Sequence, residues 1–204
     1  VTPRGASVWA AVPDGLTAAA FVAIWISPFV FGELSVKTAM LIMLVEFFLI
    51  HATGFLTAIG ERSDVSRSKR ILGMLGMSLF YLVMVSAFAW SFGEWWPLLA
   101  FGWLAVGKIA WSWGVRANGK DAMSMQMAAW GGSVVAYLFG CFLTVLLPVP
   151  RLGMHADLHS QFGLGTETTG LWITEPHRVV AFGAIYFGLL CVGKVVAAKR
   201  RARA

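Results

Sequence analysis

Charge is what this chain has least of. Of its 204 residues, 13% are charged and 58% are hydrophobic. A soluble domain of similar size carries about a quarter charged residues. The deficit is concentrated in stretches of about 20 residues, the length a helix needs to cross ~30 Å of hydrocarbon. Six such stretches and their connecting segments occupy nearly all of the chain. The expectation is therefore one polytopic membrane domain over 1–204, with no room for a soluble domain. Cysteine is scarce too. Cys141 and Cys191 both fall inside apolar runs and no CxxC occurs, which argues for small packing residues over a disulfide or redox pair. No secretory cleavage pattern is visible, and the first apolar run is too long and too poorly flanked for a signal peptide. Internal repeats and low-complexity segments are missing as well.

The six hydrophobic segments read as transmembrane helices over Gly15–Phe31, Val36–Ile59, Ile71–Phe92, Pro97–Val115, Met125–Leu147 and Arg178–Ala198. A leader, Val1–Asp14, precedes them. The sequence GERSDVSRSKR at Gly60–Arg70 is the first polar loop, and Arg116–Ser124 is the second. Pro148–His177 is the longest non-apolar segment, and the basic tail Lys199–Ala204 closes the chain. Pro28 stands near the far end of the first segment, where a membrane helix tolerates proline if neighbours satisfy the freed carbonyl. The fold class expected is all-α: a bundle of six transmembrane helices with a cap loop between the fifth and sixth.

Basic residues orient this arrangement. One side holds Arg4, Arg62, Arg67, Lys69, Arg70, Arg116, Lys120, Lys199, Arg200, Arg201 and Arg203; the other holds Lys37, Arg151 and Arg178. Positive charge collects on the cytoplasmic side, so both termini are expected there, in a bacterial-type plasma (inner) membrane. Lys194 can snorkel to the same face. Pro148–His177 is then extracytoplasmic. The net charge of +6 comes from helix ends and implies no nucleic-acid groove. Trp9, Trp95, Trp96, Trp111, Trp113 and Trp172 stand near segment ends, where indole suits the headgroup zone.

Three groups of residues could carry chemistry. Glu46 and Lys108 lie within apolar segments, where an ionisable residue costs ~2.5–3.5 kcal/mol on insertion scales and faces the bundle with a partner. Both segments run from the outer to the inner face. Glu46 lies roughly 15 Å in and Lys108 roughly 20 Å in, at 1.5 Å per residue. An intramembrane ion pair is expected, either structural or part of a proton path or ligand pocket. His51 stands five residues after Glu46, about 140° round the helix, so one face cannot present both. A neutral histidine hydrogen-bonded to a neighbour is expected there. Haem is disfavoured, because no other histidine lies at its depth.

The outer loop holds the remaining histidines. His155 and His159 are four apart in MHADLHSQF, and His177 opens the sixth segment in EPHR. Such a trio could hold zinc or copper at an open site. Met154, Leu158 and Phe162 recur at the same spacing, which also fits a short amphipathic helix at the membrane surface. The glutamate of an HExxH site is absent. Glu175 and Arg178 flank His177; the glutamate suits a helix N-terminus and the arginine a lipid headgroup phosphate. Gly73, Gly76, Gly131, Gly132, Ser133, Ala184 and Gly188 could form close helix contacts, and Tyr81, Tyr137 and Tyr186 could hydrogen-bond in the interior.

No catalytic motif emerges. The sequence points to an accessory, structural or oligomer-forming membrane subunit, or to a small permease, with the bilayer, itself or other membrane subunits as partners. The alternative is an extracytoplasmic metal-binding protein or enzyme using His155, His159 and His177. No resident cofactor is expected on the first reading.

Overall fold

The structure is a computed structural model that describes residues 9–62, 64–114, 120–164 and 170–203, with side chains at all of these except 108, 110–114, 120–126 and 201–203. Most of the described residues are helical, with no strand among them. In chain order the helices are α1 (Val12–Ile26), α2 (Ser35–Gly60), α3 (Arg67–Phe92), α4 (Trp96–Gly114), α5 (Lys120–Leu146), a 3-10 helix (Ala156–Phe162), the one-turn α6 (Leu171–Thr174) and α7 (Pro176–Arg203). Four stretches are long and apolar enough to cross a membrane: Ser35–Gly60, Arg67–Phe92, Met127–Leu146 and Pro176–Arg200. Val12–Ile26 and Trp96–Gly107 are apolar but shorter. These features are those of a membrane-embedded protein.

Helix ends follow local chemistry. α1 stops at Ile26, five residues before the expected Phe31. Ser27 is extended (φ −137°, ψ 92°), as a residue preceding proline prefers, so Pro28 ends this helix and does not sit within it. At 15 residues, α1 covers roughly 22 Å at 1.5 Å per residue. A turn carrying Gly32 at φ 112° leads into α2, and Ser35 Oγ donates to the Gly32 carbonyl. α3 begins at Arg67, a turn earlier than expected, and ends at Gly93, whose left-handed φ of 67° lets Glu94 N bond back to the Ala89 carbonyl. Glycine adopts that conformation without a Cβ clash. α7 begins at Pro176, with the proline in the first turn.

The chain forms two compact units. One comprises the chain up to Met43 and from Val135 onward; the other is Leu44–Val134, so α2 and α5 contribute to both. In the first unit α1 and α7 pack antiparallel. Asp14 meets Lys194, and Phe21 packs on Phe187 with ring centroids 5.6 Å apart. The Phe21 ring also lies against Gly183, in space that any side chain at 183 would need. Tyr137 meets Phe182 and Tyr186 edge-to-face, at centroid distances of 4.7 and 5.4 Å, and its hydroxyl donates to the Met43 carbonyl at 2.9 Å. In the second unit the core is Ala52, Leu56, Met74, Tyr81, Val85, Phe101 and Ala105. Of the small residues expected at helix contacts, Gly73 does face a neighbour, with Ile59 3.2 Å from where its Cβ would stand; nothing lies within 4 Å of such a Cβ at Gly76, Gly131, Gly132 or Gly188.

Candidate functional site

The second unit contains a cleft of about 260 Å³ lined by Glu46, Leu49, Ile50, Thr53, Ala129, Trp130 and Ser133. α2 and α5 make its walls. Glu46 is half-buried and stands near the middle of α2, roughly 17 Å from Ser35 at 1.5 Å per residue. α2 itself is 26 residues long and is one of the four helices long and apolar enough to cross a membrane. Thr53 and Ser133 add hydroxyls to the same cleft, the latter also donating to the Ala129 carbonyl at 3.1 Å.

Trp130 is the fixed wall of the cleft. Its indole Nε1 donates to the Ile50 carbonyl at 2.9 Å. That approach requires Gly54: a Cβ there would lie 2.6 Å from the indole ring. Gly54 and Trp130 thus act as a matched pair across the two helices. Sequence reasoning passed over both residues, since a glycine in a helix and a tryptophan in a membrane segment are individually ordinary.

The sequence expectation for this unit was an ion pair between Glu46 and Lys108. The Lys108 side chain lies outside the described residues, so the pairing is not defined by the structure. His51 Nδ1 is 2.7 Å from the Phe47 carbonyl, one turn back on its own helix. An imidazole nitrogen bonded to a carbonyl must carry the proton, which leaves Nε2 as the other ring nitrogen. The imidazole also packs on the Phe47 ring at a centroid distance of 4.1 Å. His51 is not among the residues lining the Glu46 cleft.

A second polar cluster closes the end of the first unit. Arg178 Nη1 donates to the carbonyls of Thr144, Val145 and Leu147 at 2.6, 3.2 and 3.1 Å. These carbonyls belong to the end of α5, where the last turn has no intrahelical donor, and a guanidinium there also complements the helix dipole. Arg178 Nε meets Glu175 Oε2 in a close ion pair, and Arg151 lies 3.8 Å from the other carboxylate oxygen. The hydrogen bond from Arg178 is the main reason that Glu175 is held below the usual carboxylate range; the Arg178 and Arg151 charges add to it and partial burial opposes it. The sequence allows Arg178 and Glu175 either a ligand or lipid-headgroup role or a capping and anchoring role at the start of the sixth segment. In the structure Arg178 caps the end of α5 and pairs with Glu175, which stands just before α7.

The outer-loop histidines are not gathered. His155 is exposed and stands just before the 3-10 helix. His159 Nε2 is 2.6 Å from the Ile173 carbonyl. His177 is buried in the first turn of α7. Among the described residues no group of three or more His, Cys, Asp or Glu is placed to hold a metal. The expected α-helical face over Met154–Phe162 is instead the 3-10 helix Ala156–Phe162. Three residues per turn put His159 and Phe162 on one side and leave His155 outside. Met154 and Phe162 are buried, so the apolar residues of this segment pack inward. Trp25 Nε1 donates to the Pro150 carbonyl at 2.9 Å, and Gly153 N donates to the Trp25 carbonyl at 3.1 Å. The loop is therefore tied to the end of α1.

One further pair was not anticipated. Lys194 Nζ is 2.6 Å from Asp14 Oδ2, with the aspartate largely buried. Lys194 had been assigned to snorkelling. In sequence the two are too far apart for any spacing rule to link them.

In comparison with known proteins, no family model, no curated protein and no solved structure matches this chain.

Proposed function

We propose that this chain is a six-helix polytopic protein of a bacterial-type inner membrane, with both termini cytoplasmic, and that it acts as a small permease for cationic or protonatable solutes and not as an enzyme. The observation that carries this reading is the Glu46 cleft. An acidic side chain at mid-span is costly and is retained where it faces an ion or substrate path. Here it shares a cavity with two hydroxyl residues and an indole whose ring is fixed in place. A carboxylate and an indole together suit a small monovalent cation, the first by charge and the second by cation–π attraction. The accessory or oligomer-forming subunit remains the competing reading, and the same experiment decides between them.

The test is flux into proteoliposomes containing the purified protein, with sodium, potassium and methylammonium as probes. The permease reading expects entry of at least one probe above protein-free liposomes, reduced about tenfold or more in Glu46→Gln, which keeps the shape and removes the charge. Absence of flux for all three, or equal flux in the variant, overturns it and favours a subunit role. Metal analysis of the same preparation addresses the remaining alternative: stoichiometric zinc or copper, lost in His155→Ala, would return the outer loop to consideration.

A further inference from the structure

Trp130 lies flat on the backbone of α2. Its ring atoms Cε2, Cζ2 and Nε1 are 2.6, 2.7 and 2.7 Å from the place a Cβ on Gly54 would take. A point almost equally distant from three adjoining ring atoms stands over the ring and not beyond its edge, so Gly54 covers one face. The indole N–H is spent on the Ile50 carbonyl at 2.9 Å. The ring also lines the Glu46 cleft. A ligand there meets the π surface that Gly54 leaves uncovered, and finds no indole donor. That surface is negative in character and attracts cations. Because the ring is held before anything binds, little rotamer freedom is lost on binding.

We infer that this cleft selects methylated ammonium ions over alkali metal ions, with Trp130, seated on Gly54, as the specificity-determining residue. The inference rests on the Glu46 reading above and names its ligand class. Leu49, Ile50 and Ala129 contribute apolar side chains to the walls, and side-chain oxygen comes only from Glu46, Thr53 and Ser133. An alkali metal ion leaves water where oxygen atoms replace its hydration shell, and walls that are mostly carbon replace little of it. A methylated ammonium ion carries its charge under methyl groups. These need no hydrogen bonds, pack on carbon, and are well matched to an indole face. The Glu46 carboxylate accepts about four hydrogen bonds, so it can balance a bound cation alongside a protein donor. The cleft's volume of about 260 Å³ is the space of roughly nine waters at ~30 Å³ each, which suits an ion the size of tetramethylammonium or choline.

The experiment is equilibrium binding of radiolabelled tetramethylammonium to the purified full chain in detergent, at constant ionic strength. Saturable binding is expected, displaced by choline and not by an equal concentration of sodium or potassium. Trp130→Leu, which keeps an apolar side chain and removes the π face, should weaken it about tenfold. Trp103→Leu, at an exposed indole of α4, should leave it unchanged, and elution profiles report whether each variant folds. If Trp130→Leu does not fold, wild-type protein grown with fluorotryptophan carries the test. Fluorine withdraws charge from the ring face with little change of shape, so the affinity should fall severalfold. Undiminished affinity in the folded Trp130 variant or in the fluorinated protein overturns the inference. So does an absence of binding, or displacement by sodium or potassium at equal concentration. Glu46-dependent flux of sodium or potassium without tetramethylammonium binding would sink this inference and leave the permease reading standing. Trp130-dependent binding without flux of any probe would sink the permease reading alone.

Discussion

Arg178 Nη1 stands 2.6 Å from the carbonyl oxygen of Thr144, joining the first turn of α7 to the last turn of α5. Thr144 is itself tied back to its helix by hydrogen bonds from Oγ1 to the Gly140 and Cys141 carbonyls. With Val145 and Leu147 also bonded to the same guanidinium nitrogen, one side chain satisfies most of the helix end.

Arg178→Ala should therefore cost about 1.5–3 kcal/mol, the range for hydrogen bonds made by a charged group. Arg178→Lys should recover only part of this, since an ammonium cannot serve the carbonyls and Glu175 with a planar fork. Thermal unfolding in a fixed detergent measures both. Equal stability of Ala and Arg at 178 would show that lipid or water can cap α5 as well as the guanidinium does.

Glu175 adds a pH dependence to the same junction. Its carboxyl is held low mainly by the hydrogen bond from Arg178. A carboxyl with a depressed folded-state pKa contributes stability that is complete above its unfolded value of about 4.3 and is lost as pH falls through the folded value. Stability of the wild type should decline across that acidic window, and Glu175→Gln should show a shallower decline there, starting from a lower plateau. Parallel pH profiles for the two would mean that the ion pair contributes nothing.

The apolar helices themselves were legible in the sequence, because runs near membrane length leave few alternatives; of the six expected to span, four are long and apolar enough to do so, and Val12–Ile26 and Trp96–Gly107 are shorter. Boundaries were less legible. The hydrophobicity of Ser27–Phe31 continues past the helix, and only the steric demand of Pro28 on Ser27 ends it. The Met154–Phe162 spacing was read as α-helical, yet the chain forms a 3-10 helix, whose three-residue period fits the same letters differently. Glu46, which lines the cleft, was singled out as an ionisable residue within an apolar segment. Its neighbours Trp130 and Gly54 were not, because the fit of an indole against a missing side chain is a property of two helices together. The partners of Arg178 were invisible for a simpler reason: they are backbone carbonyls, which any residue supplies.

Gly54→Ala tests that fit. The new methyl would stand 2.6 Å from the Trp130 ring, so the indole must move and weaken its bond to the Ile50 carbonyl. Overpacking of this kind costs about 1–3 kcal/mol. Alanine favours a free helix over glycine by about 1 kcal/mol, so the net loss should be smaller but still a destabilisation. Combining it with Trp130→Ala should convert the loss into a gain relative to Trp130→Ala alone, read as a rise in melting temperature.

Pairing of Glu46 with Lys108, expected from their depths in the sequence, predicts a specific order of stabilities. Removing one partner strands a charge in a low-dielectric setting, which costs about 3–5 kcal/mol for a buried pair, whereas removing both is far milder. Lys108→Met should therefore be less stable than Lys108→Met combined with Glu46→Gln. Denaturant titration in mixed micelles supplies the comparison. If the double variant is no more stable than Lys108→Met, Glu46 has no need of that lysine, and its cost is met within the α2–α5 cleft.

Basic residues supply the last prediction, that both termini face the cytoplasm. Arg62, Arg67, Lys69 and Arg70 lie together at the polar loop and the start of α3, whereas the segment after α5 contributes Arg151 and Arg178. Translocating the first cluster would be strongly disfavoured. Arg62 is also paired with Asp64 at 2.6 Å in a fully exposed setting, which fits a solvated loop and lends it little stability. Single cysteines report the sidedness directly once Cys141 and Cys191 are replaced by alanine. Ser160→Cys, exposed in the 3-10 helix, should react with a membrane-impermeant maleimide on intact cells. Ser66→Cys, exposed just before α3, should react only after permeabilisation. Labelling in the reverse pattern would invert the protein in the membrane, placing the Arg178–Glu175 junction on the cytoplasmic side and requiring the basic loop to have crossed the bilayer against its charge.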